Sequence, residues 1–274
     1  MSAGIDLNGR VALVTGAART GGIGVAIARA LAGAGSHVVL SDIGASDQGL
    51  GSMGELEQRV EEIKAEGGSA SQVVCDVREE TSVIQAVESI LAAHERIDYL
   101  INNAGVGFLM APITETRIED WDRVLEVNLR GAFLTTKHVA RAMIASGGGG
   151  RIVNIASQAA KSGFPHAAGY CASKHGMVGL TRVSAIEFGP HGITVNAVCP
   201  NHITTGLGDW QNKYFSKLKG LSESDYLSAM ENRIPLGRTG RTSDIANACV
   251  FLCSDAAEYI TGEALNVSGG EEMH

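Results

Sequence analysis

Short apolar runs rich in valine and isoleucine alternate with longer amphipathic stretches along most of the chain. Several runs are apolar at successive positions, which predicts strands buried on both faces of a parallel sheet. The runs interpreted as strands are 11–14, 37–41, 70–74, 99–102, 151–155, 194–198 and 264–267. The stretches interpreted as helices are 24–34, 55–66, 81–94, 118–144, 170–187 and 243–253. This alternation predicts βαβ units with right-handed crossovers.

A glycine-rich turn after the first of seven runs favours an open α/β doubly wound parallel sheet, the Rossmann fold, over a closed eight-unit barrel. No change in composition marks a boundary within the 274 residues, although 44–54 and 146–150 are predicted to be loops. We therefore expect residues 1–274 to form a single dinucleotide-binding and catalytic domain. Segment 201–235 holds Trp210, Tyr214, Phe215 and Tyr226, and is predicted to be a helical lid over the substrate.

The formal net charge of −8 and the lack of a basic block argue against nucleic acid or an anionic membrane as a partner. No apolar run approaches the ~20 residues of a membrane span. The first ten residues do not have a secretory signal pattern. A cytoplasmic location is therefore expected. Neither the five cysteines nor the eight histidines show metal-site spacing, so no metal is expected.

The segment that follows the first predicted strand, residues 15–24, is rich in glycine and precedes a small-residue helix. Such a turn lets backbone N–H groups approach a pyrophosphate at the positive end of the helix dipole. The residues expected to bind the cofactor there are Gly16, Arg19, Gly22, Ile23 and Gly24.

Asp42 ends the second predicted strand, where a carboxylate accepts hydrogen bonds from the adenosine ribose hydroxyls and repels a 2′-phosphate. Arg19 favours NADP instead, because a cation in the loop can hold that 2′-phosphate. A like charge at the ribose should outweigh a flexible arginine, so NAD is expected and NADP is the less favoured cofactor.

Tyr170 and Lys174 are four residues apart and share one face of a predicted helix. A free tyrosine has a pKa of about 10, too high for an efficient base near neutral pH. A neighbouring ammonium favours the phenolate and lowers that pKa. On its own this spacing is common on solvated helices.

The pair stands in a larger set of motifs at fitting separations: the 15–24 loop, Asp76-Val77, Asn102-Asn103-Ala104-Gly105, Asn128, Ser157, Tyr170-x-x-x-Lys174, and Pro200 with Thr205. With these motifs the chain resembles the classical short-chain dehydrogenase/reductase family from about residue 10 to residue 270. The resemblance implies that Tyr170 is the general acid/base and that Lys174 lowers its pKa and binds the nicotinamide ribose. It also implies that Ser157 hydrogen-bonds the substrate oxygen and that Asn128 holds a proton-relaying water.

The resemblance assigns five more residues to the cofactor. Asp76 and Val77 would contact the adenine, and Asn103 would lie beside the adenosine ribose. Ile203 and Thr205 would meet the nicotinamide carboxamide. Some of the residues in these motifs have a structural role as the alternative. The 102–105 turn would stabilise the central sheet, Ser157 would cap a turn, and Asp76 would form a turn.

Three positions depart from the family pattern. Five residues instead of three separate Gly16 from Gly22, which indicates a two-residue insertion. Asn201 follows Pro200 where glycine is usual, and asparagine tolerates the left-handed backbone angles of such a turn. Ser268 replaces a frequent aspartate. His166 and His202 should border the substrate, in surface or packing roles rather than catalytic ones.

The expected function is an NAD(P)-dependent oxidoreductase that transfers hydride between the cofactor and a secondary alcohol or ketone, with a polyol, sugar or cyclic alcohol as small-molecule substrate. The first alternative is a 3-oxoacyl thioester reductase of the acyl carrier protein type, although no basic docking patch is evident. The second is a nucleotide-sensing protein without catalysis, which usually lacks the tyrosine or lysine. A homotetramer is the family expectation.

Overall fold

The computed structural model describes residues 5–43 and 53–274, and it places seven strands in one parallel sheet. The strand order is β3-β2-β1-β4-β5-β6-β7. The strands are β1 Val11–Thr15, β2 His37–Asp42, β3 Ser69–Val74, β4 Tyr99–Asn102, β5 Gly150–Ile155, β6 Ile193–Pro200 and β7 Ala264–Val267. The order reverses between β1 and β4, so a crevice opens at their carboxyl ends. The predicted doubly wound seven-stranded sheet is confirmed.

Helices cover both faces of this sheet. They are α1 Ile23–Gly33, α2 Met53–Ala65, α3 Glu80–His94, α4 Ile118–Leu125, α5 Gly131–Ser146, α6 Ala168–Phe188, α7 Gly206–Leu218, α8 Glu223–Glu231 and α9 Thr242–Cys253. Most of the glycine/serine loop predicted at 44–54 lies outside the described residues. Among the described residues, no helix has the length and apolar character that crossing a membrane requires.

The prediction of a single helix over 118–144 is wrong in one respect. A π-helical turn, Glu126–Arg130, separates α4 from α5. Such a turn inserts an extra residue into an otherwise α-helical path, and hydrophobic periodicity cannot detect it because apolar residues continue on both sides. Asn128 lies in this turn.

Strand β1 shows why the apolar runs are continuous. Ala12 and Val14 pack into a core with α1, α2 and α9, whereas Val11 and Leu13 pack into a second core with α3, α5 and α6. All five residues of β1 are buried. Successive apolar residues thus serve opposite faces of the sheet.

Buried amides join β4 and β5 at their carboxyl ends. Asn102 Nδ2 donates to Asn154 Oδ1 over 2.8 Å and to Thr136 Oγ1 over 2.9 Å. Asn154 Nδ2 donates to Thr181 Oγ1 of α6 over 2.8 Å. Asn102 and Asn154 are 3% and 0% exposed, so their polar atoms depend on these partners.

We predict that Asn154→Ala destabilises the protein, because it removes a hydrogen-bond partner in the core from both the Asn102 amide and the Thr181 hydroxyl. Each buried group that loses a partner costs about 1–3 kcal/mol, so the free energy of unfolding should fall by about 2–4 kcal/mol. Urea unfolding followed by circular dichroism measures this loss. Asn232→Ala, at an exposed asparagine, is the control. Equal stabilities of the two variants would contradict the network's role.

Candidate active site

A cavity of about 810 Å³ opens at the carboxyl ends of the strands and extends from the glycine-rich loop to α7 and α8. Its volume lies in the ~300–1,000 Å³ range typical of ligand sites. Every residue that the sequence analysis assigned to catalysis or cofactor binding lines this cavity except Asn128. The sheet therefore gathers residues from distant parts of the chain around one space.

The glycine-rich loop accommodates its two extra residues in a tight turn. Gly22 N–H donates to the carbonyl of Arg19 over 3.1 Å, and Gly21 adopts a positive φ of 67°. Buried Arg59 of α2 donates to Thr20 Oγ1 over 2.8 Å and thereby ties the turn to the fold. No side chain caps the start of α1. Its first N–H groups therefore remain available to a phosphate.

Thr15 and Asn103 link the ends of β1 and β4. Thr15 Oγ1 accepts from the N–H groups of Asn103 and Ala104 over 3.1 and 3.0 Å. Asn103 Nδ2 donates to the carbonyls of Thr15 and Gly16 over 2.9 Å each. The side-chain N–H groups of Asn103 therefore hold the loop, and its Oδ1 and backbone carbonyl remain for the predicted cofactor contact.

Asp42 borders the cavity and is anchored to the loop. Its Oδ2 accepts from Ala18 N–H over 3.0 Å, and its Oδ1 accepts from Ile43 N–H over 2.9 Å. Burial raises the pKa of Asp42, which these two N–H groups and the Arg19 guanidinium partly offset. Because Arg19 acts on this carboxylate, the two residues with opposite implications for the cofactor lie near each other.

Asp76 has a partner that the sequence analysis missed. Arg78 Nε and Nη2 donate to Asp76 Oδ1 and Oδ2 over 2.9 and 2.7 Å, and these bonds lower the pKa of Asp76. Arg78 also lines the cavity. Val77 is buried against Gly131, where an added Cβ would lie 2.7 Å from Val77 Cγ2. In the sequence, the only sign of this ion pair was that Arg78 follows Asp76 by two residues.

Lys174 and Tyr170 lie on the first turns of α6. Lys174 Nζ donates to the carbonyl of Ile155 over 2.7 Å and lies 5.7 Å from the centroid of the Tyr170 ring. Burial lowers the pKa of Lys174 to about 8. The Ser157 hydroxyl is hydrogen-bonded to Tyr170 and also accepts from Ala159 N–H over 3.1 Å, so Ser157 both caps a turn and faces the cavity.

The surroundings of Tyr170 act against the expected lowering of its pKa. Burial raises the pKa of Tyr170, and the hydrogen bond from Ser157 only partly offsets that effect. The reason is that an apolar enclosure penalises the phenolate, while the Lys174 ammonium is directed at a backbone carbonyl.

Asn128 is fully buried and its side-chain N–H groups are engaged. Its Nδ2 donates to the carbonyl of Val106 over 2.9 Å and to Ser173 Oγ over 3.1 Å, and its Oδ1 accepts from Val106 N–H over 2.8 Å. A Cβ added to Gly105 would lie 3.3 Å from Asn128 Oδ1 and 3.7 Å from Lys174 Nζ. Glycine at this position thus leaves a small space between the two groups.

Two helices form over the segment predicted as a lid, and aromatic contacts join it to Tyr170. Phe164 lies with its ring centroid 6.5 Å from that of Tyr170 and 5.9 Å from that of Phe215 in α7. His166 Nδ1 hydrogen-bonds Tyr214 Oη over 2.7 Å. The position of α7 is therefore coupled through these ring contacts to the wall that contains Tyr170.

The turn after β6 differs from its sequence interpretation. The positive φ, 43°, occurs at His202 and not at Asn201. Asn201 Nδ2 donates to Glu271 Oε2, which also lies 3.2 Å from His202 Nε2. Arg233 Nη2 lies 2.6 Å from Glu271 Oε1. The substituted asparagine and the histidine are thus used to hold the segment after β7.

Comparison with known proteins agrees with this geometry. A family model described as enoyl-(acyl carrier protein) reductase matches residues 16–272. A short-chain dehydrogenase/reductase of Armillaria gallica is 40% identical over 262 residues, covering 96% of this chain and 95% of the relative. The chain belongs to the short-chain dehydrogenase/reductase family. It is therefore an oxidoreductase that acts on alcohols or ketones with a nicotinamide cofactor.

Two further relatives of this short-chain dehydrogenase differ in their named reactions. D-threitol dehydrogenase of Mycolicibacterium smegmatis is 40% identical over 264 residues, covering 96% of this chain and 93% of the relative. The crystal structure of a variant of the actinorhodin polyketide ketoreductase with NADPH superposes with a TM-score of 0.89 at 36% identity, covering 97% of this chain and 98% of the other.

For this short-chain dehydrogenase we predict that Gly24→Ala weakens cofactor binding. An added Cβ would lie 2.5 Å from Asn103 Nδ2 and 2.6 Å from the carbonyl of Gly16, so the loop must shift. We expect the dissociation constant of NAD(H) to rise about tenfold or more, which corresponds to ~1.4 kcal/mol. Titration calorimetry measures it. Gly33→Ala, in open space on the same helix, should leave the constant unchanged. Equal affinities would refute this account of the loop.

Proposed function

We propose that the protein is an NAD-dependent dehydrogenase of a hydroxylated secondary alcohol, with a polyol or sugar as the substrate class. The observation that carries this proposal is the convergence of Ser157, Tyr170 and Lys174 on the cavity that the glycine-rich loop and Asp42 also line. The similarity to a polyol dehydrogenase supports the substrate class.

A nicotinamide dinucleotide fits the residues present. The uncapped start of α1 suits its pyrophosphate, and Asp42 lies where a ribose hydroxyl can donate to a carboxylate. Arg19, Gly22, Ile23, Asp76 and Val77 would hold the remaining adenosine side. Asn103 would lie beside the adenosine ribose, and at the other end Ile203 and Thr205 would border the nicotinamide half, together with Lys174. The bound cofactor would supply the site that accepts or delivers hydride.

In this proposal Ser157 donates a hydrogen bond to the substrate oxygen while Tyr170 exchanges a proton with it. Because burial raises the pKa of Tyr170, the phenol of the free protein is protonated at neutral pH and ready to donate to a ketone oxygen. Oxidation of an alcohol needs the phenolate, which the Lys174 ammonium would favour if it turned from the Ile155 carbonyl toward the Tyr170 hydroxyl.

Asn128 takes part in the proposal through the space beside Gly105. Its side-chain N–H groups are already engaged, so a relaying water between Asn128 and Lys174 would have to bind to an oxygen of Asn128. This sharpens the role expected from the sequence. Residues 201–235, which contain α7 and α8, are proposed to close over the substrate.

We expect Tyr170→Phe to lower kcat about 100-fold or more, since general acid/base catalysis contributes about 10²–10⁴-fold. Steady-state assays with secondary alcohols and NAD, and with the matching ketones and NADH, measure the loss. The dissociation constant of NADH should change little. Tyr259→Phe is the control, because the Tyr259 side chain is fully exposed. A Tyr170→Phe variant with undiminished turnover would exclude the proposed mechanism.

The preference for NAD rests on Asp42, so we expect Asp42→Asn to shift it toward NADP. Removing the charge that repels a 2′-phosphate should raise the ratio of kcat/KM for NADP to that for NAD about tenfold or more, equivalent to ~1.4 kcal/mol. Asp255→Asn, at a side chain that is 91% exposed, should leave the ratio unchanged. If the wild-type protein already prefers NADP, the assignment of NAD fails.

A 3-oxoacyl thioester reductase is the second candidate, favoured by the likeness to the NADPH-bound ketoreductase. Efficient turnover of a 3-oxoacyl thioester, without any turnover of polyols, would favour this second candidate.

Exposed apolar side chains on α5 and α6, at Phe133, Val183 and Ile186, support the proposal that the protein assembles as a homotetramer through these helices. A cytoplasmic location stays a prediction.

A further inference from the structure

Glu272 follows the last strand, yet its side chain forms part of the cavity wall. The side chain is only 10% exposed. Its Oε1 accepts a hydrogen bond from Gln158 Nε2 over 3.3 Å. Its Oε2 is shielded from solvent and has no hydrogen-bond partner among the described residues. His274, whose Nε2 lies 3.7 Å from Glu272 Oε2, is charged only when protonated and its side chain is 73% exposed. The negative charge is therefore poorly compensated.

The segment that carries Glu272 is held by side chains and not by the sheet. Ser268 Oγ donates to the carbonyl of Glu272 over 3.1 Å and accepts from its N–H over 3.3 Å. Asn266 Nδ2 donates to the same carbonyl over 3.2 Å. Lys161 Nζ donates to the carbonyl of His274 over 2.7 Å. Ser268, which departs from the common family pattern, thus helps to place Glu272.

The contact between Glu272 and Gln158 also determines which way the Gln158 amide points. A carboxylate can only accept hydrogen bonds, so the NH₂ end of the amide must face it. The carbonyl Oε1 of Gln158 is then turned away from Glu272, and no described residue donates to it. Gln158 directly follows Ser157 and lines the same cavity. An acceptor is therefore presented one residue from the serine that faces Tyr170.

We propose that Gln158 and Glu272 form a specificity-determining subsite that accepts a second hydroxyl of the substrate and disfavours substrates with a carboxylate. This inference rests on the proposed function and deepens it. A substrate hydroxyl donates to Gln158 Oε1, which Glu272 holds in position. A substrate carboxylate would approach the poorly compensated charge of Glu272 in an enclosed space, where repulsion is stronger than in water. The subsite therefore selects neutral polyols over aldonates of the same length.

The test compares neutral alditols with aldonates of four to six carbons, for example sorbitol with gluconate, as substrates or as competitive inhibitors. The quantity measured is the ratio of kcat/KM, or of inhibition constants, for each pair. Glu272→Gln removes the charge and should raise the relative preference for the aldonate about tenfold, equivalent to ~1.4 kcal/mol. Gln158→Leu should raise KM for alditols about tenfold without this gain for aldonates. Ser268→Ala, at a positioning residue, should reproduce the Glu272→Gln shift in part, through KM and not kcat.

Glu263→Gln is the matched control, because it makes the same change at an exposed glutamate near the same strand. Thermal melting verifies that each variant is folded. A monohydroxy secondary alcohol such as cyclohexanol is assayed in parallel, and Glu263→Gln should leave its kcat unchanged. The subsite proposal is overturned if the ratio stays within twofold in Glu272→Gln, or if wild-type protein binds no alditol. Loss of cyclohexanol oxidation in Tyr170→Phe would still support the proposed chemistry, so the two failures are distinguishable.

Discussion

The hydrogen bonds between Thr15 and Asn103 join the ends of β1 and β4 at the point where the sheet reverses its strand order. They anchor the loops after β1 and β4 to each other, although these loops serve opposite faces of the sheet. Asn103 also limits Gly24 to glycine, and so determines where α1 begins relative to the loop. The N–H groups offered to a phosphate and the wall that holds Tyr170 are positioned relative to this one junction.

Burial dominates the electrostatics at the other end of the cavity. It raises the pKa of Tyr170 and lowers that of Lys174 to about 8, so it disfavours the charged form of each. The protein compensates part of this cost with the Ser157 hydroxyl for Tyr170 and with the Ile155 carbonyl for Lys174. The lowered pKa brings the Lys174 ammonium closer to titration at neutral pH, whereas the raised pKa of Tyr170 keeps its phenol protonated there.

Local patterns in the sequence were sufficient to predict the strands, the doubly wound sheet and the spacing of Tyr170 and Lys174, because each depends on neighbours within a few residues. The π-helical turn at Asn128 could not be predicted, since it does not alter the apolar periodicity. Neither could the contact of Gln158 with Glu272, which joins residues 114 positions apart. Ser268 was visible as a departure, but its meaning depends on the path of the chain after β7.

The segment around Glu272 has a consequence for how such an enzyme can diversify. The backbone carbonyls of Glu272 and His274 accept from the side chains of Ser268, Asn266 and Lys161, and none of the sheet pairings between β6 and β7 includes Glu272. A substitution at Glu272 therefore alters no strand pairing of the sheet. In the proposed function, substrate range can therefore change through one short stretch of chain that is separate in sequence from Ser157, Tyr170 and Lys174.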